Sequence, residues 1–308
     1  MKTSTRALVR DVNDRRSIFA AAIMAGGGAM CFVSAPLFIG EAMEGLGLGS
    51  DQAGVMFSSY LAGFTLICLT AVLWIRKIDW RLIAALAYAA LAAGLSGSAV
   101  STSYELLLAG FFVAGCGAGT LYGLSICMIG DTHEPDRFFG VKVFGEQMVG
   151  VLLVFTLPIT VQPIWGFKGL CLATAALAIA LGLTTLWVPP AGTKSAESAT
   201  VLDEKSGRHV AATWPVLIGV VGMMLFFGGL TVLWAFVERI ADSRGLEGAT
   251  VGTALSFAAL GGGLGGLTAA VLGDRYGRFK PLVLTIVGIA AVYAVYNLHF
   301  NALMFIPN

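Results

Sequence analysis

Long apolar runs separated by short polar breaks dominate this chain of 308 residues. Nine runs have the length of a membrane crossing: residues 17–40, 50–75, 81–100, 105–129, 138–160, 168–188, 214–237, 249–272 and 281–298. Each approaches the ~20 residues that an α-helix needs to cross the hydrocarbon core. The runs are continuous rather than alternating, which excludes the ~10-residue strands of a membrane β-barrel. The pattern predicts an all-α membrane protein of nine transmembrane helices, with Phe300 to Asn308 as the stub of a tenth.

The polar breaks organise these spans. Residues 1–16 form a mixed-charge tail, and the run after them exceeds the roughly 7–15 apolar residues of a signal-peptide core. Pro189-Pro190 stops the sixth run and opens a stretch rich in Ala, Ser, Thr, Lys and Glu, residues 189–213. That stretch holds too little apolar surface to fold alone and is expected to link two bundles, residues 17–188 and 214–308. The two share a register. Ala71, Val72, Leu73 and Arg76 return as Ala270, Val271, Leu272 and Arg275, and Arg81 meets Lys280. Each copy is a basic hairpin joining the second and third spans of its set, and internal repeats of this kind build many membrane carriers.

Charge fixes the expected orientation. With the N-terminus in the cytoplasm, that side collects Lys2, Arg6, Arg10, Arg15, Arg16, Arg76, Lys77, Arg81, Arg137, Lys142, Lys194, Lys205, Arg208, Arg275, Arg278 and Lys280. The far side receives only Lys168, Arg239 and Arg244. Lysine and arginine in short loops favour the cytoplasm, so this asymmetry selects the topology and checks the span count.

Composition agrees. Hydrophobic residues make up 57% of the chain and charged residues 12%, about half the charged fraction of a water-soluble domain. No basic tract suited to nucleic acid is present. Cys31, Cys68, Cys116, Cys127 and Cys171 all fall inside apolar runs without metal-ligand spacing, and read as packing residues. Neither a metal nor another cofactor is expected. Gly261 to Gly266 contains a formal Gly-x-Gly-x-x-Gly, but no strand or βαβ unit surrounds it. With Gly26-Gly27-Gly28 it reads as small-residue helix packing.

An ionisable side chain within a span is expensive unless paired or wetted, and is a functional candidate for that reason. Span 5 carries Lys142 and Glu146, which share a helix face at a four-residue spacing, followed by Gln147. Glu146 approaches the bilayer midplane, where it suits a proton or substrate site, with Lys142 tuning it or holding an anion. The competing reading is an internal ion pair that packs span 5, with Lys142 snorkelling toward the interface. Pro36 is expected to kink span 1. Glu41, Glu44, Asp51 and Glu105 are expected to be solvated at the far side.

Two sets of spans, a linker and a basic hairpin in each set resemble the major facilitator superfamily. Asp274-Arg275-Tyr276-Gly277-Arg278 with Lys280 is similar to that family's signature between the second and third helices of a half. The first copy departs from it, with Ile75 for the aspartate and Ile78 for the second glycine, so that Arg76 and Arg81 remain. The antiporter Gly-Pro motif of span 5 is absent, although Gly140, Gly145 and Gly150 occur there. The resemblance implies twelve helices, so the last three would be missing here. It also implies that spans 1, 4 and 7 line a central cavity, making Ser34, Tyr122, Ser125, Thr231 and Trp234 candidates. The family's hairpin acid docks on a helix N-terminus of the other half. That role would fall to Asp274 at the start of span 5, with Arg275, Gly277, Arg278, Lys280, Arg76 and Arg81 completing the gating hairpins.

The function expected is secondary transport of a small organic solute by alternating access, with proton symport through Glu146 as the specific form. No enzyme motif and no ATP-binding motif occur. The protein is expected as a multi-pass monomer in a cell membrane, with a solute, protons and lipid as its partners and no nucleic acid. A non-transporting fragment or ligand-binding membrane protein is the alternative class.

Overall fold

The computed structural model describes residues 11–192, scattered helical positions between 214 and 234, and residues 248–272 and 279–298. The structure is all-helical, with no strand among the described residues. Span 1 forms α1 (Arg15–Val33) and α2 (Ala35–Glu44), and the next four spans form α3 (Ser50–Trp74), α4 (Trp80–Ala99), α5 (Tyr104–Gly130) and α6 (Pro135–Thr160). Span 6 is α7 (Gln162–Gly182), continued by a 3-10 turn over Leu183–Trp187. All six are long and apolar enough to cross a membrane. Their bounds follow the hydrophobic runs closely. Beyond them come α8 (Gly248–Leu272) and α9 (Phe279–Leu298), where the eighth and ninth runs lie. The seventh run is described only in part, so the structure does not establish nine spans.

Local chemistry explains the ends and breaks. Span 1 breaks at Ser34 (φ −92°, ψ 15°), just before Pro36, whose ring cannot continue the preceding helix. Asp79 caps α4 by accepting from the backbone N–H of Arg81 and Leu82 at 2.8 and 3.1 Å. Gly166, at a positive φ of 51°, kinks α7 and divides a short turn over residues 162–165 from the span proper, which starts where hydropathy places it.

Span 1 occupies the middle of the first six helices. Its three consecutive glycines face three different neighbours: Gly26 meets Val149 and Gly145 of α6, Gly27 meets Tyr88 of α4, and Gly28 meets Ala118 and Tyr122 of α5. Successive residues are ~100° apart on a helix, so three small residues let three helices approach one axis. The Tyr60 hydroxyl adds a tie from α3, donating to the Gly28 carbonyl at 3.3 Å. One expectation fails here. Glu41 is only 9% exposed, because α2 continues the central helix and Gly45 and Gly166 close over its carboxylate.

The second set packs onto the first through α6 and α8. Gly140 meets Gly266 and Ala270, while Gly262 and Gly263 meet Gln147, Met148 and Phe144. Gly262, Gly263 and Gly266 of the glycine cluster thus form a close-packed seam, while a side chain at Gly261 or Gly265 would meet open space among the described residues.

Candidate functional site

Two ion pairs stand out, one in the middle of α6 and one at the basic end of the bundle. In α6 the Lys142 ammonium donates to Glu146 Oε2 at 2.9 Å. The two side chains are 4% and 14% exposed. Glu146 lies roughly 16 Å from the Pro135 end of α6 at 1.5 Å per residue, close to the midpoint of that helix. Lys142 also sits 3.9 Å from the ring centroid of Tyr122 on α5, a cation–π arrangement. Tyr122 leans against Phe64 of α3, with ring centroids 5.7 Å apart. The site is therefore a net-neutral, hydrogen-bonded pair with the face of Tyr122 against its ammonium, backed by Phe64. Lys142 does not snorkel; it turns inward to its counter-charge.

Helix periodicity separates Gln147 from this site. Advancing ~100° per residue, Lys142 and Glu146 fall on one flank of α6 and Gln147 on another. Gln147 lies on the seam against Gly262 and Gly263. Ser34 and Ser125 are fully buried, and their hydroxyls donate to carbonyls of their own helices, Met30 at 2.6 Å and Tyr122 at 2.7 Å. Trp234 donates through its indole N–H to the Val33 carbonyl at 3.1 Å, tying the seventh run to the end of α1. Thr231 is helical and half-buried in the same run.

At the basic end, Arg76 forks onto Asp131, with guanidinium nitrogens 3.2 and 3.0 Å from the two carboxylate oxygens. Asp131 is 1% exposed and Arg76 28%. The hydrogen bond from Arg76 to Asp131 raises the guanidinium pKa above its ordinary value, so the arginine stays charged at any working pH. Around the pair, the chain leaving span 6 is strapped down. Trp80 donates its backbone N–H to Pro190 O at 2.9 Å, and Arg81 donates through Nε and Nη2 to Val188 O at 3.1 Å each. Gly192 lies so close to the Asp131 carboxylate and the Trp80 ring that a Cβ there would collide with both. Asn13 joins from the tail, accepting from the backbone N–H of His133 at 2.9 Å.

Asp131, Trp80, Val188 and Gly192 escaped the reading of the sequence, though one signal was available. Arg76 lacks the aspartate that the hairpin signature places beside it, and Asp131 is the acid that follows the fourth run. Asp274, Arg275, Gly277 and Arg278 lie outside the described residues, and Lys280 at the start of α9 is exposed. The chain enters their hairpin at Leu272, beside a cleft lined by Leu267, Ala270 and Leu272 on one wall and by Pro135, Asp136 and Arg137 on the other. Among the described residues, no group of acids, histidines and cysteines is arranged to hold a metal ion.

No curated protein matches the chain. A family model does match, over residues 17–306, which takes in every helix described above. Six consecutive apolar helices, a seam of small residues onto the helices that follow and this near full-length match lead to one conclusion: the chain belongs to the Major Facilitator Superfamily, a family of membrane transporters.

Proposed function

We propose that the protein is a secondary carrier of a small organic solute, that it works by alternating access, and that it couples uptake to protons through Glu146. The observation that carries this reading is the Lys142–Glu146 pair, a hydrogen-bonded ion pair at 2.9 Å near the middle of a membrane-crossing helix. A buried pair in that position costs stability, both its members belong to one helix, and such residues in membrane proteins mark substrate or ion pathways. Glu146 is the more exposed partner and receives the proton; Lys142 holds the solute or tunes the acid. Tyr122 is the cavity-lining aromatic beside them.

The seam between α6 and α8, where small residues bring the two sets of helices into close contact, supports an interface about which one set rocks against the other. In this reading the basic end faces the cytoplasm of a cell membrane, in accord with the lysine and arginine asymmetry. Asp274 then latches the start of α6, where a carboxylate gains about 0.3–1 kcal/mol from the helix dipole.

Uptake of labelled candidate solutes into proteoliposomes, with and without an imposed pH gradient, tests the proposal. Accumulation that follows the gradient is expected, with Glu146→Gln abolishing it while sparing solute exchange. An unchanged gradient dependence in that variant removes Glu146 from the coupling step.

A further inference from the structure

We propose that the solute is an organic monoanion, that it takes the place of Glu146 at the Lys142 ammonium, and that one proton crosses with it on the Glu146 carboxyl. The inference rests on the carrier reading above and adds to it the charge class of the solute and the stoichiometry.

Charge balance in a buried site selects the occupant. The resting pair is neutral, and the Lys142 ammonium is almost wholly buried between Glu146 and the Tyr122 ring. Net charge near the midplane is costly, so an occupant that leaves the cluster charged carries that cost through the occluded state. A cation added to the pair gives a net positive site. A dianion with one proton leaves a net negative site. A neutral solute gains nothing from a pair that is already satisfied. A monoanion arriving with one proton leaves the sum at zero, with Lys142 positive, Glu146 neutral and the solute negative.

The exchange is balanced. The proton enters from water onto Glu146, the more accessible carboxylate, and the contact between its Oε2 and the ammonium is released. An N–H of Lys142 then donates to the anion. On the other side the anion leaves, the proton returns to water, and the pair closes again.

No other described group competes for this role. On α5 the titratable side chain facing the pair is Tyr122. Span 1 presents Ala22 and Gly26 to this part of α6, and α8 has no ionisable residue. Lys168 of α7 belongs to the opposite end, and His133 and Asp136 lie at the start of α6.

The test uses the full chain in detergent and benzenesulfonate, whose charge is fixed at minus one at every working pH. Calorimetric titration in buffers of different ionisation enthalpy is expected to show about one proton taken up per probe bound, and affinity falling about tenfold per pH unit once Glu146 is ionised. Glu146→Gln is expected to bind the probe without proton uptake and without pH dependence, with Lys142→Gln losing binding. Tighter binding of 1,3-benzenedisulfonate, of trimethylanilinium or of benzenesulfonamide overturns the inference, as does binding without proton uptake or no anion binding at all. Proteoliposome flux separates the two claims. Binding with proton uptake but no flux leaves the monoanion site standing and sinks the carrier, whereas flux of a cation does the reverse.

Discussion

Two of the ion pairs among the described residues are of opposite design. Arg76 and Asp131 lie 55 residues apart and join the hairpin after α3 to the end of α5, with both carboxylate oxygens engaged. Lys142 and Glu146 lie four residues apart on one helix, and beyond α6 the ammonium meets the face of Tyr122 on α5. Their order is also the poorer one for helix stability, since an acid preceding the lysine suits the helix dipole better. A pair that crosses the fold and sits at its rim has a structural reason to exist. The pair at mid-helix, in the unfavourable order, spans no two elements with its ion pair, which is why function is assigned to it.

The largest effect is expected from separating the cross-fold pair. Arg76→Met leaves the buried Asp131 carboxylate without its guanidinium, and removing one partner of a buried pair costs about 3–5 kcal/mol. The lower end is expected here, because Arg76 is partly exposed. Unfolding followed in mild detergent checks it, and a double substitution with Asp131→Leu should recover much of the loss. A fully additive double variant would show that the two residues act apart.

Next comes the strap. Gly192→Val pushes a branched side chain into the Asp131 carboxylate and the Trp80 ring. Overpacking of this kind costs about 1–3 kcal/mol. The same unfolding assay should show the loss, and it should shrink when Trp80 is cut back to leucine. An unaffected midpoint would mean that residues 188–192 are not held as described.

These two sites also mark where the sequence stopped being informative. Hydrophobic runs located six helices to within a few residues, because each must bury about 20 residues in lipid whatever its neighbours are. The Lys142–Glu146 contact was legible for the same reason: partners on one helix face need only the helical period. Asp131 was not, since its partner lies in a hairpin that local spacing does not reach. Glu41 was misplaced because burial depends on which helix becomes central, and that was decided by three glycines with three different neighbours. Gln147 follows Glu146 in sequence as a further polar candidate, and one residue of helical rotation places it on the α8 seam.

The mid-helix pair should respond in the opposite sense to the cross-fold one. Replacing both members, Lys142→Met with Glu146→Leu, removes two buried charges and leaves an apolar helix face. Substitutions of this kind are neutral or stabilising, by about 1–2 kcal/mol in the expected case. Proton-driven accumulation in proteoliposomes should vanish in the same protein. Gain of stability with loss of activity is the mark of residues kept for function. Loss of both would return the pair to a packing role.

The smallest effect is expected at Trp234. Its indole N–H donates to the Val33 carbonyl at 3.1 Å, and Val33 closes α1 just before the break at Ser34. The last carbonyls of a helix lack intrahelical donors, so this bond satisfies one of them. It also crosses from the second set of helices to the first, at the end away from the Arg76 hairpin. Trp234→Phe keeps the aromatic body and removes the donor, at a cost of about 1 kcal/mol. Were the bond a static tie, only the unfolding midpoint would move. In a carrier that opens at this end, it stabilises one of two conformations, and 1 kcal/mol shifts their ratio about fivefold. Solvent labelling of a cysteine placed at Ser34 reads that ratio directly. Faster labelling in the phenylalanine variant, with the midpoint nearly unchanged, assigns Trp234 to the gate, and equal rates with a lowered midpoint assign it to the scaffold with Arg76.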